Sequence, residues 1–345
     1  MTKADSLRLP RPTTDERRLW DIIGGVLGGQ GFLVALDLKL FPWLAERPAT
    51  IEEVASQFRL DRRAAETLLI LCTTLGALER RGERFEVTQL TCDYLLPNSP
   101  VYFGGFMEGS LAQQSTLTSF ESVRKAFVEN RSQIYDGDTL FESHELDDEA
   151  VRGFTTIMHW HSMAPALAWP ELFDLSEIRR MIDVGGGSGA HTIAAALRWP
   201  DLEGVIFEMP KVCTVAREFI DSYGVQGRVT AETGDLWHDP LPGGDLHFLG
   251  DIFHDWPENK CQQLAAKSFA ALAPGGRIMI HEMLYNDEKT GPLSASISSI
   301  SMLLWTEGIQ RSGPEHIDIL SSVGFTEAEI TPTFGDWSIV SARKT

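Results

Sequence analysis

A chain of 345 residues, 43% of them hydrophobic, is long enough for two domains and apolar enough to bury substantial cores. Its 49 acidic and 30 basic residues leave a formal net charge of −19, which opposes binding to nucleic acid or to an anionic membrane. Cys72, Cys92, Cys213 and Cys261 have neither paired nor metal-ligand spacing, the pattern of reduced thiols in a cytoplasm.

The opening Met1-Thr-Lys-Ala-Asp-Ser6 is polar and lacks the apolar core of a signal peptide, and no apolar run reaches the ~20 residues that span a bilayer. From Thr14 to about Trp43, apolar residues (Trp20, Ile22, Ile23, Val26, Leu27, Phe32, Leu33, Leu36, Leu40) alternate with Gly24, Gly25, Gly28, Gly29 and Gly31. Each glycine weakens a helix by roughly 1 kcal/mol relative to alanine, so close packing of this stretch against a second copy is expected to compensate. A membrane helix is the competing reading, and Asp37 and Lys39 interrupt it.

Thr50 to Tyr94 reads as a winged-helix unit. Thr50 and Glu53 form a capping box for one helix. A turn at Arg59-Leu-Asp61 leads to a second, with Ala64, Leu68, Leu69, Leu71, Cys72 and Leu75 facing a core. Gly76 ends that helix and Leu78–Val87 makes a hairpin. Such units often bind DNA, here through Arg62, Arg63, Arg80, Arg81 and Arg84, but interleaved acids and the acidic chain make the electrostatic footprint poor.

A helical, aromatic-rich segment follows from Leu96. Phe103, Phe106, Met107, Phe120 and Phe127 are candidate walls of a substrate chamber, and Tyr135-Asp-Gly-Asp-Thr139 is a surface turn before Phe141. His159 and His161 lack the i, i+4 spacing that puts two metal ligands on one helix face, so no metal is expected.

Residues 173–345 read as an α/β doubly wound sheet. Apolar runs recur near 180–184, 204–207, 228–231, 245–250, 277–281 and 337–342, with helix-like segments between the first five. The last run follows Phe325–Ile330 without a helix, which predicts an antiparallel final hairpin. In Asp183-Val-Gly-Gly-Gly-Ser-Gly-Ala190, Gly185, Gly187 and Ala190 satisfy the dinucleotide-binding pattern. The acids point elsewhere. Asp183 would repel a pyrophosphate and suits an ammonium or sulfonium. Glu208 stands where an acid binds ribose hydroxyls, and Asp235 is placed for an adenine edge. This set suits S-adenosylmethionine (SAM) better than NAD.

With these motifs the chain resembles the dimeric class I small-molecule O-methyltransferases of the caffeate, acetylserotonin and bacterial polyketide type. The resemblance rests on Asp183-Val-Gly-Gly-Gly-Ser-Gly189, Glu208-Met-Pro210 in place of Asp-Leu-Pro, Gly234-Asp-Leu-Trp237, His254-Asp-Trp256, Pro274-Gly-Gly276 and a strand ending in Glu282. It implies a Rossmann-like methyltransferase sheet (173–345), a helical substrate-chamber segment (96–172) and an N-terminal winged-helix dimerisation domain (1–95). The implied partners are a small-molecule acceptor and a second copy, without nucleic acid or membrane. The implied cofactor contacts are Asp183, Gly185, Gly187, Glu208, Asp235, Leu236 and Ser162. Phe154, Met158, His161 and Asp255 are the implied substrate contacts.

The resemblance makes His254 the general base that deprotonates an acceptor hydroxyl, with Glu282 orienting its imidazole. One departure bears on this. The family's Gly-x-Glu-Arg-Thr is Gly308-Ile-Gln310-Arg311-Ser312 here, so an amide replaces a carboxylate, and Glu307 is the nearest acid. A thioether acceptor would need no base. Bacterial S-methyltransferases of 4-methylthio-2-hydroxybutyrate, in dimethylsulfoniopropionate synthesis, resemble the same family. A carboxylate acceptor of that kind would want a cation such as Arg311 or Arg131. A third alternative is a non-catalytic SAM- or DNA-binding regulator, against which the retention of His254 and Glu282 speaks.

Overall fold

The computed structural model describes residues 11–112, 117–134 and 147–345; the polar N-terminus and the turn at 135–139 with Phe141 lie outside the described residues. The chain divides into two compact units between Glu108 and Gly109.

In the first unit the glycine-interrupted stretch forms one helix, α1 (Arg17–Asp37), followed by α2 (Leu40–Glu46). The C-terminal part of α1 enters the core through Phe32, Ala35 and Leu36, which pack with Leu40, Phe41 and Leu44. Toward its N-terminus Leu19, Trp20, Ile22, Ile23, Val26 and Leu27 stand 56–75% exposed. Among the described residues α1 is the one helix long and apolar enough to cross a membrane.

The predicted capping box opens α3 (Ile51–Phe58): the Glu53 N–H donates to Thr50 Oγ1 at 3.3 Å and the Thr50 N–H to Glu53 Oε2 at 2.8 Å. In α4 (Arg62–Thr74) the buried stripe is Ala65, Leu68, Leu69 and Cys72, the i, i+3, i+4, i+7 spacing of one helix face. Ala64 and Leu75, expected in the core, lie off that stripe and are exposed. Antiparallel strands β1 (Leu78–Arg81) and β2 (Arg84–Val87) form the hairpin, and α5 (Gln89–Tyr94) follows. The arginines of this region are largely engaged locally. Arg62 meets Glu52 and Glu66 at 2.9 Å, Arg84 meets Glu53 at 2.9 Å, Arg81 meets Glu79 at 2.8 Å, and Arg80 lies over the Phe85 ring.

The segment between hairpin and sheet carries α6 (Gly104–Ala112), α7 (Phe120–Glu129) and α8 (Asp148–Ala168). Phe120 and Phe127 are 81% and 59% exposed, so within this chain they wall no chamber.

The second unit is built on a seven-stranded sheet of order β5-β4-β3-β6-β7-β9-β8. Strands β3 (Arg180–Val184), β4 (Glu203–Glu208), β5 (Val229–Thr233), β6 (Gly244–Gly250) and β7 (Leu272–Met283) are parallel. β9 (Trp337–Arg343) pairs antiparallel with both β7 and β8 (Thr326–Pro332), as the helix-free final spacing predicts. The intervening helices are α9 (Ala190–Arg198), α10 (Pro210–Ser222), α11 (Glu258–Ala271), α12 (Leu293–Trp305) and α13 (Gly313–Ser322); β5 and β6, expected to flank a helix-like segment, are joined by a loop over 234–243. Central strands are buried on both faces, through Met181, Ile182 and Val184 in β3 and Leu246, Phe248 and Leu249 in β6. Continuous apolar runs, not alternation, are what such strands require. The chain builds outward from β3 to β5, then returns to place β6 on the other side of β3. That reversal opens a crevice at the carboxyl ends of β3 and β6.

Candidate active site

The crevice begins where β3 gives way to its glycine turn. Gly185 and Gly187 take φ of 70° and 55°, a backbone that L side chains rarely adopt, and so leave bare main chain at the strand's end. A Cβ on Gly185 would stand 2.6 Å from Ile252 and 3.5 Å from Leu236, so this turn is in close contact with the loops after β5 and β6.

Asp183, expected to face a cationic ligand, is turned under the loop instead. It is 1% exposed and accepts a 2.7 Å hydrogen bond from Thr192 Oγ1 at the start of α9. Burial, opposed by the Thr192 hydroxyl and aided by the nearby Glu208 charge, pushes its carboxyl up to about 7. From beneath the backbone the acid supports the turn through its Thr192 hydrogen bond.

Glu208 ends β4 half-buried, accepting from the Gly187 N–H at 3.1 Å and the Met209 N–H at 2.8 Å. It thereby joins the glycine turn to the second strand. Asp235 accepts from the Trp237 and His238 N–H groups at 2.6 and 3.1 Å and pairs with His238 Nδ1 at 2.9 Å. Burial works upward on its carboxyl, but the His238 and backbone hydrogen bonds outweigh it and hold the pKa below the usual range. Bare backbone, carboxylates and the apolar Leu236 fit a nucleoside with a cationic tail, and nothing in this set complements a pyrophosphate.

Helix α8 serves the crevice with two stripes. Val151, Thr155, His159 and Met163 are its buried face. There His159 Nδ1 lies 2.9 Å from Ser188 Oγ in the glycine turn and Nε2 lies 3.2 Å from the Tyr223 hydroxyl, while the ring stacks on Phe219. Burial pushes its pKa down to about 4, so the ring is neutral and anchors the turn. Phe154, Met158, His161 and Ser162 follow the other, half-buried stripe. Phe154 faces Trp305 at a ring separation of 6.2 Å. His161, expected as a substrate contact, instead directs Nε2 at Asp251 Oδ2, 3.5 Å away.

His254 lies in a short 3₁₀ turn, Phe253–Asp255, just after β6, and its side chain is 9% exposed. Its Nδ1 is 2.8 Å from the Gln310 amide and 3.7 Å from Asp251 Oδ1; its Nε2 faces Asp255 Oδ1 at 3.7 Å, too far for a hydrogen bond. Glu282 does not orient the ring as expected. Its Oε1 accepts from the His254 backbone N–H at 2.9 Å and its Oε2 faces His316 Nε2 at 3.3 Å, so it fixes the turn and not the imidazole. Burial works against the imidazolium, yet the charges of Asp255, Asp251 and Glu282 exceed it and the opposing Arg311, leaving the His254 pKa above its ordinary value.

Arg311 is not a pocket cation. It is 6% exposed and its guanidinium donates at 2.8 Å to the carbonyls of Phe253 and of Trp256, bracing the His254 turn from both ends. Arg131 donates to Glu129 at 2.8 Å, and Glu307 pairs with Lys260 at 3.1 Å and not with His254. The cation wanted for a methylthio-acid acceptor is therefore not supplied by Arg311. Asp251, which touches both imidazoles, escaped the sequence reading. Its signal is an acid directly after an apolar strand, the position that Asp183, Glu208 and Glu282 also approach.

A parallel sheet with its crevice at the order reversal, a glycine turn and acids at the strand ends define a SAM-dependent methyltransferase. A family model for the O-methyltransferase domain matches residues 120–326. The 3-hydroxy-5-methyl-1-naphthoate 3-O-methyltransferase of Streptomyces sahachiroi is 34% identical over 313 residues, 90% of this chain and 89% of that protein. Acetylserotonin O-methyltransferase of Homo sapiens is 29% identical over 344 residues, 95% of this chain and 97% of that protein. Among solved structures, human N-acetylserotonin methyltransferase in complex with SAM superposes with a TM-score of 0.81 at 27% identity, covering 97% of this chain and 99% of that one. PigF with SAH (S-adenosylhomocysteine) gives 0.78 at 25% identity, covering 97% and 100%. The chain belongs to this O-methyltransferase family and is a SAM-dependent O-methyltransferase of small molecules.

The tightest backbone contact on the His254 turn generates a prediction. A Cβ on Gly308 would lie 2.1 Å from the His254 carbonyl oxygen and 2.4 Å from Trp256 N, atoms that cannot yield without moving the turn. Gly308→Ala is expected to lower kcat/KM by about 10²-fold, the order that a ~1 Å misplacement costs. Calorimetric affinity for S-adenosylhomocysteine should stay near wild type, because the glycine turn is untouched. Unchanged turnover would mean that the position of the His254 turn is not critical.

Proposed function

We propose that the enzyme methylates the hydroxyl of a small aromatic acceptor and that His254 Nε2 takes the hydroxyl proton. The observation that carries this reading is the placement of the imidazole, whose Nδ1 meets the Gln310 amide at 2.8 Å while Nε2 lies 3.7 Å from Asp255, beyond hydrogen-bond reach. The two relatives named above act, by their names, on a hydroxynaphthoate and on acetylserotonin, so a hydroxyl on a fused aromatic ring is the acceptor class to try first. Phe154, Met158 and Trp305 offer apolar surface suited to such a ring.

The bound cofactor supplies a methyl group on a sulfonium leaving group. The protein's part is to hold the acceptor oxygen in line, to exclude water and to take one proton. Glu208 is the acceptor for ribose hydroxyls, and Gly185, Gly187 and Leu236 give the backbone and apolar contacts beside it. Ser162 and Asp235 border the same cofactor. Asp255 faces Nε2 and thus the acceptor, and burial, only partly offset by His254, pushes its carboxyl up to about 7.

The first unit is read as a winged-helix dimerisation domain. Its support is the α3–α4 pair followed by the β1–β2 hairpin, and the six large apolar residues exposed along α1. A second copy covering α1 removes that surface from water. Sedimentation in moderate salt should then give twice the chain mass at micromolar concentration, and a monomer would contradict the assignment.

The cofactor assignment predicts that Glu208→Ala lowers affinity for S-adenosylhomocysteine by roughly 10- to 100-fold, the loss of one charge-assisted hydrogen bond. Titration calorimetry reads it directly, and wild-type affinity would remove Glu208 from the site.

The base assignment predicts a pH profile. A histidine raised above its ordinary value of ~6.5 is imidazolium below that raised pKa and becomes a base only as pH rises through it. With a naphthol-carboxylate acceptor, kcat/KM should climb with pH to a plateau whose midpoint lies above 6.5. His254→Ala should cost something like 10²–10⁴-fold in turnover. The loss should shrink at high pH as the phenol, with a pKa of ~10 in its simplest form, ionises unaided. A His254→Ala enzyme with intact, pH-independent kinetics would refute the mechanism.

A further inference from the structure

Two groups meet His254 Nδ1, and they are unequal. Gln310 is close but neutral, and a side-chain amide can present either its NH₂ or its oxygen to a ring nitrogen. With the NH₂ toward the ring, it lies 2.8 Å from Nδ1 and 2.6 Å from Ser298 Oγ, while the Gln310 oxygen is buried without a hydrogen-bond partner. A half-turn of the amide would let that oxygen accept from Nδ1–H and from the Ser298 hydroxyl, leaving the NH₂ unpaired in its stead. Each orientation strands one group. Gln310 therefore tolerates either tautomer of the imidazole and selects neither.

Asp251 is farther away but charged. Its φ of 55° is a left-handed backbone conformation, uncommon and costly outside glycine, and its N–H is tied to the His281 carbonyl at 3.1 Å. That backbone sets the carboxylate between two imidazoles, with Oδ1 3.7 Å from His254 Nδ1 and Oδ2 3.5 Å from His161 Nε2.

We propose that Asp251 is the positioning residue for His254: its carboxylate keeps the proton of the neutral imidazole on Nδ1, leaving Nε2 to act as base, and stabilises the imidazolium that forms. The proposal rests on the general-base reading of His254 given above. The other charges around the pair do not take this role. Asp255, on the same turn, lies equally near the ring at 3.7 Å and has the larger charge effect on it, but it faces Nε2 and not Nδ1. Glu282 from β7 is bound to the His254 backbone and to His316. Arg311 acts against the imidazolium. On the far side of Asp251, His161 from α8 is hydrogen-bonded to it, while burial keeps His281 from β7 and His191 from α9 neutral. Burial works against the charge of Asp251, but the His161 hydrogen bond and the His254 charge outweigh it and hold Asp251 below the usual carboxylate range. Asp251 is thus charged across the range in which His254 titrates.

The test uses the full chain labelled with ¹⁵N-histidine, the His254 signals being assigned by their loss in His254→Asn. In wild type, the neutral imidazole should show a protonated Nδ1 and a bare Nε2. In Asp251→Asn the His254 titration midpoint should fall by roughly one pH unit, and the tautomer should move toward Nε2–H. The midpoint of the kcat/KM profile should fall with it. Adding Gln310→Glu to Asp251→Asn should return a carboxylate to the ring and raise the midpoint again. An unchanged midpoint and tautomer in Asp251→Asn would overturn the proposal. Should that variant not fold, the wild-type spectrum decides alone, since a predominant Nε2–H tautomer would overturn it equally. The labelled-imidazole readout needs no acceptor, so failure of this coupling is distinct from failure of the base reading, which His254→Ala decides by activity.

Discussion

Four neighbouring parallel strands, β4, β3, β6 and β7, each bring an acid to the carboxyl end of the sheet: Glu208, Asp183, Asp251 and Glu282. Buried or half-buried carboxylates placed side by side repel one another and lose hydration, so each must be satisfied locally or lose its charge. The four solve this differently. Asp183 moves toward protonation beneath the glycine turn. Glu208 accepts two backbone N–H groups. Asp251 faces imidazoles, and Glu282 takes a backbone N–H and faces His316. The sheet thus gathers a rim of acids at its carboxyl edge, of which Asp251 and Glu282 favour the His254 imidazolium, while its order reversal provides the crevice.

The rim dictates how the His254 turn is built. A loop carrying a buried histidine beside three carboxylates needs a fixed backbone, and it has one brace at each end and one beneath. Arg311 binds the carbonyls of Phe253 and Trp256, Glu282 binds the His254 N–H, and Gly308 admits a backbone contact that no side chain permits. Lys260 lies over the Trp256 ring and pairs with Glu307, tying α11 to the segment after α12. Arg311, which the sequence suggested as a pocket cation, and Glu307, the acid it offered near Gln310, are thus framework for the His254 turn.

What was legible in the sequence follows from range. Strand runs, the glycine turn, the Thr50–Glu53 cap and the helix-free final hairpin are local patterns, and the structure contains each of them. The SAM-dependent methyltransferase class was likewise readable from short motifs. Partnerships were not. The ring neighbour of His254 lies 56 residues away at Gln310, and His159 reaches Ser188 across 29 residues, so no spacing rule connects either pair. Glu282 was placed correctly at the end of its strand, but which atom of His254 it touches depends on how the turn is folded. The core face of α4 was missed by one position, at Ala64 instead of Ala65, because two adjacent alanines give periodicity nothing to choose between.

Replacement of a carboxylate by Gln310 is tolerable because charge near a buried base acts over several ångströms, whereas a hydrogen bond acts only in contact. An amide can keep the contact at Nδ1 and the hydrogen bond to Ser298 without adding a further charge beside Asp251, Asp255 and Glu282. A glutamate there would raise the imidazole further and keep it protonated to higher pH. On this argument the amide is an adjustment of charge: it keeps a close contact at Nδ1 while sparing the His254 turn one more buried carboxylate.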